Sequence, residues 1–147
     1  MPKFQTSRRV SHSAANMFAL VADVERYPEF VPLCESLRVV SRRPEGGREI
    51  VTAAMTVAYK LLRETFTSRV VLEPEARQIT VNYIDGPFRY LDNRWRFEET
   101  ATGSNVHFFI DYEFKSRILG AVMGSMFDRA FRMFSEAFET RATKIYG

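Results

Sequence analysis

Apolar and polar residues alternate with a period of two through most of this chain, and after Ile118 the period changes to that of a helix. Alternation at every second residue turns one face of a strand toward a core, whereas steps of three and four turn one stripe of a helix there. Phe4, Thr6, Arg8 and Val10, set against Gln5, Ser7 and Arg9, predict a first strand with an arginine on its inner face. Ser13 then marks a helix start, because its hydroxyl accepts from first-turn amides, and Met17, Phe18, Leu20 and Val21 form a short apolar face. A second short turn can begin at Asp23, but Pro28 and Pro32 lack amide hydrogens and restrict the residues before them. Tyr27 to Leu33 is therefore expected to be an ordered apolar loop.

Five further segments alternate: Leu37 to Ser41, Glu49 to Tyr59, Phe66 to Leu72, Gln78 to Ile84, and Leu91 to Glu98. After Thr102-Gly103-Ser104-Asn105 a sixth follows, with Val106, Phe108, Ile110, Tyr112 and Phe114 on one face. Arg42 to Gly47 reads as the turn between the first two of these. Ile118 to Tyr146 predicts one helix whose core is about 25 residues and about 38 Å long. Its apolar stripe holds Leu119, Met123, Met126, Phe127, Ala130, Phe134, Ala137 and Phe138, and Asp128, Arg129, Arg132, Ser135, Glu136 and Glu139 fill the other side.

Strand, two short helices, six strands and a long helix make an α+β domain in which a curved antiparallel sheet of about six or seven strands wraps the C-terminal helix. A straight helix and a curved sheet meet closely along only part of their length, so the seam is filled either by side chains or by a ligand. Met55, Met123, Met126 and Met133 and many phenylalanines are available there, with Gly120 and Gly124 thinning the helix near its start.

Length, charge and cysteine content narrow the function. The 147 residues suit one domain spanning 1–147. No apolar run of about 18 residues could span a bilayer, and the N-terminus does not read as a targeting segment. The lone Cys34 excludes an internal disulfide and fits a reducing compartment, so a cytoplasmic location is expected. A net charge of +3 carried mostly by arginines suits phosphates of lipid or RNA, although many arginines have an acid beside them in sequence.

Candidate chemistry is sparse. His12 lies between a strand and a helix cap, and His107 shares an outward face with Asp111 and Glu113; neither has a second histidine at ligand spacing. Cys34 reads as a buried inert thiol. Glu64, Glu98 and Glu113 are expected on the convex side, which leaves Tyr59, Tyr83 and Tyr112 as inward hydroxyls. There is no Walker loop, dinucleotide fingerprint, or zinc or calcium pattern. Binding without turnover is expected, so no residue is assigned a catalytic or metal-ligating role.

The run from Phe18 to Val39, containing Asp23-Val24-Glu25-Arg26-Tyr27-Pro28-Glu29-Phe30-Val31-Pro32, resembles the signature of the coenzyme Q-binding branch of the START-like superfamily. The segment Asp85 to Phe97 and the ending Ala137 to Gly147 are similar to that family's other blocks. The resemblance implies a helix-grip fold whose tunnel holds a polyprenyl quinone, ubiquinone above all, in support of respiration, with no covalent cofactor. It further implies a bacterial protein in the cytoplasm, with peripheral contact to the inner membrane or respiratory complexes. Tyr27, Phe30, Val31, Leu33, Met55, Tyr59, Phe88, Trp95, Tyr112, Met123, Met126, Phe127 and Phe134 are the expected ligand-binding residues. Phe30 and Val31 serve there as a lid, a membrane-touching lip, or a plug of the core edge. Gly86 and Pro87 set the turn that aims Phe88 at the seam, and the indole nitrogen of Trp95 needs a ligand oxygen or a backbone carbonyl. Close relatives of the same pattern are toxins that block ribosomal subunit association, so the large subunit is an alternative partner; DNA is not expected. A second alternative is a cyclase or dehydratase acting on a polyketide-type substrate.

Overall fold

The computed structural model describes residues 3–147, and its elements follow the predicted order. Strand β1 (Lys3–Val10) leads into helix α1 (Ala14–Ala22), capped by the Ser13 hydroxyl on the Asn16 amide at 3.1 Å. A 3-10 helix, Val24–Glu29, follows. Strands β2 (Cys34–Glu45), β3 (Arg48–Tyr59), β4 (Leu62–Glu73), β5 (Gln78–Asp85), β6 (Phe88–Thr100) and β7 (Gly103–Phe114) precede helix α2 (Arg117–Tyr146). All seven strands form one antiparallel sheet in the order β1-β7-β6-β5-β4-β3-β2. Sequential hairpins give that order directly, and β1 closes on β7 because Phe4, Thr6 and Val10 meet Ile110, Phe108 and Ser104 in register.

Several boundaries differ from the sequence expectation. The segment expected as a loop from Tyr27 is helical through Glu29; Pro28 is the fifth of the six residues of this 3-10 helix, where its fixed φ suits the helical turn and its missing amide leaves the helix to end one residue later. The turn expected over Arg42 to Gly47 shrinks to Gly46-Gly47, and Arg42 to Glu45 stay paired to β3. Pro44 sits within β2 without breaking the ladder because β2 is an edge strand. Strand β4 begins at Leu62 rather than Phe66, so Glu64 lies on the same face as Phe66 and opposite Val57, which faces the core. The expectation that Glu64 is convex is therefore wrong; it is a half-buried acid on the concave face.

Helix α2 has 30 residues, about 45 Å at 1.5 Å per residue, and runs back along β7. Its buried stripe is Met123, Phe127, Ala130, Phe131, Ser135, Phe138 and Ala142, rotated slightly from the expected one. Ser135, assigned to the polar side, is buried, and Met133, assigned to the seam, is 48 % exposed. Glu139 is also drawn inward, where it accepts from the Arg8 guanidinium at 2.6 Å, so the inner-face arginine of β1 is neutralised by α2. Burying each large apolar side chain of this stripe contributes about 1.5–3 kcal/mol and holds the helix across the sheet.

A candidate ligand cavity under the C-terminal helix

Between the concave sheet and α2 lies an apolar cavity of about 110 Å³. The sheet floors it with alternate residues of neighbouring strands: Ala53, Met55 and Val57 of β3, Phe66, Ser68 and Val70 of β4, Ile79 and Val81 of β5, and Leu91, Asn93 and Trp95 of β6. Phe127, Phe131, Phe134 and Phe138 roof it from α2, and Val24, Tyr27 and Pro32 close one side. The period of two does this work, because register pairs such as Ala53 with Ser68 and Ile79 with Trp95 bring like faces together.

Of the residues singled out in the sequence, Tyr27, Met55, Phe88, Trp95, Phe127 and Phe134 line this cavity. Val31, Tyr112 and Met123 are buried in the surrounding core instead, and Phe30, Leu33, Tyr59 and Met126 are half-buried away from the lining. Leu33 takes a left-handed backbone conformation, φ 68°, and its carbonyl accepts from the Ala58 amide at 3.0 Å. Phe131, Ser68 and Asn93 line the cavity and were missed. The parity of β4 and β6 sets Ser68 in phase with Phe66 and Asn93 in phase with Trp95, and is the signal that places the last two on the inner face.

Aromatic edges set the cavity's shape. Phe138 packs edge-on against Phe30 at 5.0 Å, Trp95 at 5.1 Å and Tyr27 at 5.4 Å, so the segment after α1 is tied to the helix. Glu29 and Arg141 pair across the same seam, and the Arg141 guanidinium lies 5.1 Å from the Phe30 ring centre. Gly86, at φ 147°, lets the β5–β6 turn approach Phe66, where an added Cβ would stand 2.5 Å from that residue's Cβ. Phe88 follows from this turn and does point into the seam.

Polar groups within the lining are few. The Tyr27 hydroxyl donates to the Val21 carbonyl at 2.5 Å, and burial pushes its phenol far above the ordinary range. The Asn93 amide donates to the Phe109 carbonyl at 2.8 Å. The Ser68 Oγ is buried with no hydrogen-bond partner among the described residues. Among the described lining residues there is no acid, histidine, lysine or arginine. No hydrogen bond is made by the Trp95 indole N–H among the described residues, and its ring stands 4.7 Å from that of Phe108. Outside the cavity, burial raises the Tyr112 phenol to about 12, with the Asp128 charge adding to it, and the Cys34 thiol to about 11.

The histidines lie elsewhere. His12 is buried and bonded to the Thr143 hydroxyl at 3.0 Å, joining the N-terminal strand exit to the end of α2. His107 is on the convex face between Ser7 at 2.7 Å and Glu98 at 3.1 Å. Among the described residues, no group of three or more His, Cys, Asp or Glu side chains could hold a metal ion. None of their helices is long and apolar enough to cross a membrane.

A sheet gripping a long helix over a lined apolar cavity defines the helix-grip, START-like class of proteins. The chain belongs to the family described as polyketide cyclase / dehydrase and lipid transport, which matches it over residues 10–139. It is 32% identical to the ribosome association toxin RatA of Rickettsia prowazekii, over 99% of both chains. It is 33% identical to the mitochondrial coenzyme Q-binding protein coq10 of Schizosaccharomyces pombe, over 80% of this chain and 72% of that one. Among solved structures, an 18 kDa protein of Caulobacter crescentus superposes with a TM-score of 0.82 at 35% identity, covering 100% of this chain and 99% of that one. The ZhuI aromatase/cyclase of a Streptomyces species shares the fold at 17% identity with a TM-score of 0.81, covering 99% and 96% of the two chains.

Proposed function

We propose that this chain is a single lipid-binding domain that holds and delivers a neutral hydrophobic molecule, a prenyl quinone such as ubiquinone, without turning it over. The observation that carries this reading is the apolar cavity between sheet and α2, with no charged group among its described lining residues. The coenzyme Q-binding relative supports the choice of ligand. At about 110 Å³ the cavity is smaller than the ~150 Å³ engineered cavity that accepts benzene, so even a ring-sized head requires some widening and a prenyl tail requires more. The first turns of α2 are suited to that movement: Ile118 is 78 % exposed, Val122 is half exposed, and Gly124 has no neighbour within 4 Å of an added Cβ.

Exchange of such a ligand calls for contact with a bilayer. Leu61, at the tip of the β3–β4 turn, is fully exposed beside Lys60, and Ile118 follows Lys115 and Arg117. Both belong to the sheet end where β3, β5 and β7 finish. Apolar tips next to cations are the composition that anionic membrane surfaces attract. Vesicles with and without anionic lipid test this contact: the protein should co-sediment with the anionic ones, and Leu61→Glu combined with Ile118→Glu should abolish the association. Equal sedimentation of that variant would discard this surface.

The ligand is tested by mass spectrometry of an organic extract of the purified protein. Wild type should carry a prenyl quinone, and Ala53→Leu, whose larger side chain takes up most of the cavity, should fold normally yet lose it. An extract without neutral lipid above a control protein, together with no uptake of added quinone, would defeat the reading. A second reading, a ribosome-directed protein that blocks subunit association, is favoured by the RatA relatives matched along nearly the whole chain. It requires sedimentation with large ribosomal subunits that weakens steeply as salt is raised.

A further inference from the structure

We infer that Ser68 is the polar recognition point of the cavity, and that it selects a ligand whose buried head is neutral and carries an oxygen, such as a quinone carbonyl or quinol hydroxyl, over a fatty-acid carboxylate. The inference rests on the reading of the cavity as a ligand site. Its basis is one atom: the Ser68 Oγ is buried and unpartnered, on a residue only 5 % exposed that lines the cavity. A hydroxyl left dry and unpaired destabilises the fold, and alanine or valine would fill the same site of an ordinary core without that penalty.

The described surroundings leave that hydroxyl without a protein partner. Its strand neighbours in register are Ala53 on β3, which has no polar side-chain atom, and Tyr83 on β5, whose hydroxyl instead accepts from the Phe88 amide at 3.0 Å. The ladder between β4 and β5 shifts register beside it: Thr67 pairs Asp85 while Ser68 pairs Tyr83, leaving Ile84 as an extra residue. Bulges of this kind re-aim side chains. Two other buried hydroxyls among the described residues are without a partner, Thr100 at the end of β6 and Ser135 on α2, and neither lines the cavity.

Charge decides the chemical class. A carboxylate brought into this cavity would meet no cation among the described lining residues, and an ionised group buried without a partner is strongly disfavoured. A carbonyl, by contrast, needs only one donor. The Ser68 hydroxyl supplies it, and the same oxygen can accept from a quinol. Asn93, on the same concave face, already spends one amide hydrogen on Phe109 and keeps its carbonyl oxygen for a second contact.

The test uses three probes, decylubiquinone read directly by quenching of Trp95, the only tryptophan of the chain, and decylbenzene and palmitate read by their displacement of the quencher. Wild type should bind decylubiquinone more tightly than decylbenzene and should not measurably bind palmitate at the same concentrations. Ser68→Ala should weaken decylubiquinone about tenfold, the worth of one buried hydrogen bond, and leave decylbenzene unchanged. Ser68→Thr, which keeps a hydroxyl, should restore the preference. If both neutral probes bind but their ratio is the same in wild type and Ser68→Ala, or if palmitate binds as tightly as the quinone, Ser68 is not the recognition point. If no probe binds wild type, the ligand reading of the cavity falls and takes this inference with it.

Discussion

Gly103→Ala is expected to cost the protein about 3–5 kcal/mol, the range reached only when buried structure is broken, and to leave little folded chain at 37 °C. Gly103 opens β7 at the turn of its hairpin with β6, where the chain leaving β1 passes directly over it. A Cβ placed there would stand 2.0 Å from the Val10 carbonyl oxygen and 2.8 Å from the Ser11 backbone. Both obstacles are main chain, so no side-chain rotation relieves them. The neighbouring Ser104 hydroxyl donates to the His12 carbonyl at 2.8 Å, and His12 in turn holds Thr143 of α2. Displacing this crossing therefore loosens sheet, N-terminal strand and terminal helix together. Urea titration checks the expectation, with Gly124→Ala as its control. That helical glycine has open space around it, and alanine there should stabilise by up to about 1 kcal/mol. A Gly103→Ala midpoint equal to wild type would mean that the β1 exit does not pass where it is described.

Phe88→Ala carries the other large effect. The Phe88 ring is almost completely buried and meets five others: Phe114 at 4.9 Å, Phe66 at 5.4 Å, Tyr83 at 5.6 Å, and Tyr112 and Phe127 at 5.9 Å. Removing it deletes the shared neighbour of β4, β5, β7 and α2, and should cost about 3–5 kcal/mol. The void it leaves adjoins the cavity, which grows by about the volume of a benzene ring. This variant should then be stabilised by decylubiquinone more than wild type is, because a ligand bound only to the folded state adds RT ln(1 + [L]/Kd), about 2.7 kcal/mol at a hundredfold excess over Kd. Thermal unfolding with and without the quinone reads both quantities. A loss below about 1 kcal/mol would contradict the packing around the ring.

The candidate site was legible in the sequence to a limited degree, and the pattern of hits has a physical cause. Met55, Phe88, Trp95, Phe127 and Phe134 could be named because large apolar side chains at the right period have nowhere else to go. Phe131 was left out of the stripe and Ser135 was put on the polar side because a helix period defines a stripe only to within the width of a residue or so. Docking on the sheet chose the rotation that buries them and turns Met133 out. Glu64 was placed on the wrong face because polarity was taken to outrank parity. In an antiparallel ladder the pairing of Val57 with Glu64 overrides that preference, and the acid stays half-buried.

The sequence by itself determined that alternating segments must become antiparallel neighbours, that a long amphipathic helix must lie on them, and which family pattern the chain carries. These follow from local periodicity and short turns, whose physics is complete within a few residues. Only the tertiary structure decided that Ser68 and Asn93 face an apolar space, that Arg8 meets Glu139, and how large the space beneath α2 is. Those facts depend on strand register, a bulge at Ile84 and the phase of one helix, each set by packing between segments far apart in the chain.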